Sequence, residues 1–208
     1  LMSGIAAADP VIETFSGPAA PDYLGGYQMT PIDAPASSPG SVSSVASPTA
    51  TGGDILFQQQ GGATLDMTVD DPDWWQWADH GNVYTTDIHW VELILPANTR
   101  ALSFFVGAEF SGRGWIQAFD SNNQSTVLDP FYVGVNRTPG FGVYSSDSCA
   151  AITRVIIEPE YWGVGQLAIN QDPCATSISE PAPLGLLAFG LLALAISRRL
   201  PQMRAETA

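Results

Sequence analysis

The chain contains no lysine. Its 7 basic residues are all arginines, set against 21 acidic residues in 208, for a formal net charge of −14. Four arginines (Arg100, Arg113, Arg137, Arg154) lie in the body and three (Arg198, Arg199, Arg204) near the C-terminal end, while all acidic residues but Glu180 and Glu206 belong to the body. Such a surface repels phosphate backbones and anionic headgroups, which excludes nucleic acid as a partner. It suits solubility in salty surroundings or weak divalent-cation binding. Histidine is nearly absent too. His80 and His89 do not fall into a zinc-ligand spacing, and a zinc site needs three or four ligands. With 2 cysteines the chain is no disulfide-dense scaffold. There is no G-x-S-x-G, so the usual signature of a serine nucleophile at a strand-to-helix turn is missing. Helical periodicity is missing from the body as well.

What the body does have is Gly (20), Pro (16) and 10% aromatics, a profile of many turns and short strands. Residues 9–53 read as a Pro/Gly/Ser-rich segment carrying short strands such as YQMTPI and SVSSV. From residue 54 the pattern sharpens. ATLDMTV alternates Leu65, Met67 and Val69 with polar residues, WVELILP puts Val91, Leu93 and Leu95 on one face, and GWIQAFD puts Trp115, Gln117 and Phe119 on one side. RALSFFVGAEF is a nearly continuous apolar run, expected of a central strand, and DSNNQS is a turn. Short strands with no helical period between them predict an all-β fold over 54–174, an antiparallel β-sandwich of jelly-roll type.

The two cysteines, Cys149 and Cys174, flank AITRVIIEPEYWGVGQLAIN. Read as a hairpin turning near Tyr161 and Trp162, this segment would bring them opposite each other at its open end. An exported protein would oxidise the pair, with a gain of roughly 3 kcal/mol for a loop of this size.

The densest chemistry is DDPDWWQWADHGN, which offers Asp70, Asp71, Asp73, Asp79 and His80 around Trp74, Trp75 and Trp77. Three readings stand side by side. The tryptophans close one end of the core and the aspartates form turns; or the indoles stack on sugar rings while carboxylates bind hydroxyls; or the carboxylates hold calcium, which takes six to eight oxygens. No other cofactor is suggested. Glu92 and Glu109 would make a glycosidase pair only if they faced one cleft, so the chain reads as a non-enzyme.

Both ends carry targeting features. At the N-terminal side, Ala6 and Ala8 before Asp9 make an Ala-x-Ala pattern, so residues 1–8 read as the end of a secretory signal peptide. At the other side, Leu184 to Ile196 carries no charge and has no polar face. As a helix it spans about 20 Å at about 1.5 Å per residue, short for a hydrocarbon core of about 30 Å. Pro181 and Pro183 punctuate its start, and Arg198 and Arg199 follow it, which fixes the cytoplasmic side.

Residues 175–208 resemble a PEP-CTERM sorting signal: a Glu-Pro motif (Glu180, Pro181), a short transmembrane helix over 184–196, and an arginine cluster (Arg198, Arg199). Ser179 stands where the family pattern, roughly Val-Pro-Glu-Pro, has Pro. The resemblance implies export from a bacterium that makes exopolysaccharide. It further implies transient anchoring in the inner membrane and recognition by an exosortase-type sorting protease. WWQWADHGNVY, VELILPANTRALSFFVGA and AITRVIIEP resemble the secreted β-sandwich domains that often precede such signals. The function expected is structural or adhesive, at the cell surface or in the exopolysaccharide matrix. A carbohydrate-binding module, a glycan-active secreted enzyme and a self-assembling filament subunit are the alternatives.

Overall fold

In the computed structural model, residues 9–16, 19–33, 40–70, 83–108, 111–134, 138–147, 149–158 and 162–173 are described, with Asp70 and Trp162 described by backbone alone. The chain divides into two units, Leu1–Cys174 and Ala175–Ala208. The sorting-signal residues (Ser179, Glu180, Pro181, Arg198, Arg199) and the apolar run at 184–196 lie outside the described residues.

The described residues hold sixteen strands and no helix. In chain order these are β1 (Pro10–Phe15), β2 (Tyr23–Leu24), β3 (Tyr27–Gln28), β4 (Thr30–Pro31), β5 (Gly40–Val42), β6 (Ser44–Ala46), β7 (Asp54–Gln59), β8 (Met67–Asp70), β9 (Val83–Thr86), β10 (Val91–Ile94), β11 (Ala101–Ala108), β12 (Gly112–Asp120), β13 (Ser125–Val133), β14 (Gly140–Ser145), β15 (Ile152–Glu158) and β16 (Trp162–Asn170). One antiparallel sheet of eight strands runs β1-β14-β11-β16-β9-β8-β5, with β4 also paired to β16; another of six runs β13-β12-β15-β10-β7-β6; β2 and β3 pair on their own. The all-β expectation therefore holds, in an arrangement consistent with a β-sandwich. Strands of residues 10–46 share sheets with strands beyond residue 54, so the composition shift at 53 does not separate two sheet systems.

Alternation fills the core from both sheets. Ile55, Phe57, Leu93, Ile116 and Val155 come from the six-stranded sheet, and Met67, Leu102, Phe104, Phe141 and Val164 from the eight-stranded one; all are fully buried in one cluster. Because a strand projects alternate side chains to opposite faces, one such cluster needs only every second residue. β11 breaks that economy, since all of its residues are buried. The cause is cover on its second face. Phe15 packs edge-on against Phe105 with centroids 5.2 Å apart, and Leu24, Met29, Ala101 and Ala168 form a separate small apolar cluster. A Cβ on Gly140 would fall 2.2 Å from the Phe15 ring, and one on Gly142 would fall 2.3 Å from Leu24. Glycine there lets the N-terminal segment lie flat on the sheet.

The hairpin predicted for 151–170 does not form. β15 pairs with β10 and β12 in the six-stranded sheet, whereas β16 pairs with β11, β9 and β4 in the eight-stranded one. Both strands are apolar enough to be central in their sheets, and two sheets that share a core each need a central strand. Burial against separate neighbours outweighs local pairing. Cys149 is disulfide-bonded, with its N–H donating to Asp147 Oδ1 at 2.9 Å; Cys174 lies outside the described residues.

The exit from β16 is tied down by side chains. The Gln171 amide nitrogen donates to the carbonyls of Gly52 (3.0 Å) and Ala97 (2.8 Å), and its oxygen accepts from the hydroxyls of Ser47 and Thr49. Asn170 Nδ2 donates to Asp172 Oδ2 and to the Gln28 carbonyl, both at 2.9 Å. Arg100, 2% exposed, donates its Nε to the Asp172 carbonyl at 3.0 Å. A buried polar group is tolerated when bonded in this way.

Candidate functional site

The outer face of the six-stranded sheet is built differently from a plain solvated surface. Of the four large apolar side chains exposed among the described residues, Leu56, Val127 and Tyr132 belong to this sheet's strands and lie outside its core. β12 turns Gly114, Ile116, Ala118 and Asp120 inward. Trp115, Gln117 and Phe119 share one side, as the alternation predicted, and that side is the outer one, where they are half-buried.

Cross-strand register then builds the face. Trp115 lies opposite Glu158 of β15, and Phe119 opposite Arg154. The Arg154 guanidinium sits 4.0 Å above the centre of the Phe119 ring, a cation–π contact, and its Nη1 lies 3.5 Å from Glu92 Oε2. The other Glu92 oxygen accepts from Trp90 Nε1 at 3.1 Å. Trp90 in turn meets Trp115 edge-on, centroids 5.1 Å apart and planes at 80°. The indole of Trp115 is therefore held by a chain of contacts running Arg154–Glu92–Trp90–Trp115.

Beside Trp115 the ladder opens. Along β12 and β13 the register is regular to Gly114↔Phe131 and resumes at Ile116↔Leu128, so Trp115 alone faces the pair Asp129 and Pro130. This is a β-bulge, the irregularity that re-aims side chains at sheet edges and binding sites. Asp129 reaches Arg113, with Oδ1 and Nη2 3.7 Å apart and both side chains more than half exposed. Gly114 forms the floor: a Cβ there would fall 2.4 Å from the Glu158 carbonyl oxygen and 2.8 Å from the Phe131 ring. The result is a cleft of about 450 Å³ lined by His89, Gly112, Arg113, Gly114, Trp115, Asp129 and Glu158, within the size range of small-ligand sites. Chemically it offers one fixed aromatic wall and, around it, guanidinium donors, carboxylate acceptors and an imidazole.

The patch predicted at residues 70–80 is placed only at its first member. Asp70 ends β8, its backbone paired with Val83 of β9. Asp71, Asp73, Trp74, Trp75, Trp77, Asp79 and His80 lie outside the described residues. Among the described residues no group of three or more His, Cys, Asp or Glu side chains is arranged to hold a metal ion. Glu92 is 8% exposed and serves as the link between Trp90 and Arg154; Glu109 lies outside the described residues. In DSNNQS the turn forms as expected: Asp120 Oδ1 accepts the backbone N–H groups of Asn122 and Gln124, each at 2.8 Å.

His89, Trp90, Arg113, Asp129 and Glu158 escaped sequence reasoning as site residues. The only signal was the alternation of GWIQAFD, whose outward set is aromatic and amide where a solvated face would be charged. No protein-family model and no curated protein matches the chain.

Proposed function

We infer that this chain is an exported bacterial protein of the cell surface or exopolysaccharide matrix, and that it works by noncovalent adhesion to polysaccharide. The sandwich is of jelly-roll type. A helix over 184–196 holds it in the inner membrane until an exosortase-type protease-transpeptidase cleaves near Glu180-Pro181. The observation that carries the adhesive role is the Trp115 cleft. An indole fixed by Trp90 presents an apolar plate, which matches the apolar face of a pyranose ring. Arg113, Asp129 and Glu158 stand around it to donate to and accept from ring hydroxyls. Charge-assisted hydrogen bonds are the stronger kind, and no net charge on the ligand is needed to form them.

The test is retention of the full chain on an insoluble exopolysaccharide from a matrix-forming bacterium, against Trp115→Ala. Retention by the parent protein and its loss in the variant is the expected result. Equal retention of both would remove the cleft from the reading.

A second reading, glycan hydrolysis, is favoured by one fact: Asp129 and Glu158 line the same cleft. Binding is preferred because a glycosidic general acid needs a dry, apolar pocket, whereas the Asp129 side chain is 52% exposed and engaged with Arg113. Release of reducing ends that stops in Glu158→Gln would reverse this preference.

A further inference from the structure

A second groove, of about 570 Å³, lies where the edges of the two sheets meet. Its walls include Thr14 and Ser16 at the end of β1, Pro130 and Tyr132 of β13, and Thr138 before β14. β1 is the edge strand of the eight-stranded sheet and β13 the edge strand of the six-stranded one. Thr126 Oγ1 donates to the Pro10 carbonyl where the two strands come together. Among the described residues its lining has no charged side chain; hydroxyl groups and aromatic rings share it with Leu128, Pro130 and Pro139.

The two hollows adjoin through the bulge. Asp129 lines the Trp115 cleft and Pro130, the next residue, lines the second groove. Arg113 of the first and Tyr132 of the second are direct cross-strand partners. Arg113 is 66% exposed in its side chain and Tyr132 53% exposed overall. Trp115 lies two residues along β12 from Arg113, so Trp115 and Tyr132 stand as diagonal neighbours across the bulge. That leaves two aromatic side chains on neighbouring strands, with Arg113 adjacent to both along the ladder and β13 at the edge of its sheet among the described residues.

We propose that these are two subsites for one extended, neutral glycan chain, which crosses edge strand β13 from the Trp115 cleft to the Tyr132 groove. The proposal rests on the adhesive reading above and deepens it by naming the ligand class. A neutral chain is specified because the described lining of the second groove offers hydroxyls and aromatic faces and no charged side chain. In addition, a polyanion would have to approach a protein of net charge −14. A chain of several residues is specified because the cleft and the groove, of about 450 and 570 Å³, are distinct hollows that each take at least one ring.

The experiment is titration calorimetry of the full chain with neutral gluco- and manno-oligosaccharides of two to six residues, with oligoalginate as the acidic comparison. Affinity is expected to rise by about tenfold from di- to hexasaccharide, the worth of one added aromatic contact with its burial. Tyr132→Ala should abolish that rise and leave the disaccharide affinity in place, Tyr132→Phe should keep it, and Trp115→Ala should lose both. If di- and hexasaccharide bind the parent equally, or Tyr132→Ala leaves the rise intact, the second subsite falls while the adhesive reading stands. If oligoalginate binds best, the neutral assignment falls. If none of the saccharides binds the parent protein, the adhesive reading falls and this inference with it.

Discussion

Gln171 and Ala97 are joined by a 2.8 Å hydrogen bond from the Gln171 amide nitrogen to the Ala97 carbonyl, 5% of Gln171 being exposed. That contact is one of four made by a single side chain, and it pins the last turn of the described sheet system to the loops around residues 47–52 and 97.

Replacing Gln171 by Ala would remove four hydrogen bonds, one buried and three partly buried, while the Ser47 and Thr49 hydroxyls keep the bond between them. A buried polar group left unsatisfied costs roughly 1–3 kcal/mol and the more exposed partners turn to water, so a loss of about 1–3 kcal/mol is expected in chemical denaturation. Gln171→Glu should be no better, because a carboxylate cannot donate to the Gly52 and Ala97 carbonyls. A change below about 0.5 kcal/mol in either variant would mean the network contributes nothing net, the usual range for an ordinary surface substitution.

Gly114 tests the cleft floor. Its α-position lies against the Glu158 carbonyl and the Phe131 ring, so Gly114→Ala must push β12 away from β15 or displace Phe131. A destabilisation of about 1–3 kcal/mol is expected, together with a change in tryptophan fluorescence that disappears in a Trp115→Phe background, the control needed because the chain has 6 tryptophans. An unshifted spectrum at full stability would show that the strands tolerate the methyl group.

Burial pushes the Tyr84 phenol up to about 12, and raises Tyr27 and Tyr144 as well, also chiefly by desolvation. In the unfolded chain a tyrosine ionises near pH 10. The folded state therefore keeps protons that the unfolded state gives up. Stability from this source is fully present below about pH 10 and is lost as pH rises through about 12. Denaturant midpoints measured from pH 8 to 12 should hold level and then fall. Tyr84→Phe should make the fall shallower; an unchanged slope would exclude Tyr84 as its main source.

The disulfide at Cys149 gives a further test. Cys149→Ser and Cys174→Ser should lower stability equally, by about 2–4 kcal/mol, and reductant should lower the parent by the same amount. A covalent dimer of the parent protein on non-reducing electrophoresis would show that the pairing within one chain is wrong.

Much of the fold was legible in residue order because a strand's period of two is a local property. Leu65, Met67 and Val69, or Val91, Leu93 and Leu95, face the core in the sequence pattern and in the structure alike. The DSNNQS turn was legible for the same reason, since Asp120 bonds backbone groups two and four residues ahead. Strand partners were not. AITRVIIEPEYWGVGQLAIN suits a hairpin by every local criterion, yet its halves join opposite sheets, because both are needed as central strands around one core. The cleft was hidden for a related reason. Trp90, Arg113, Trp115, Asp129 and Glu158 come from different strands and the segment before β10, and the bulge that opens the space depends on how β12 and β13 are registered. The sequence by itself determined the all-β class, the alternation that decides which residues share a face of a strand, and the acidic net charge. Only the tertiary structure decided which strands pair, which outer face is covered by the N-terminal segment, and where aromatic plates and carboxylates meet. Pairing and cover are settled by burial summed over the whole chain, which no single window of residues contains.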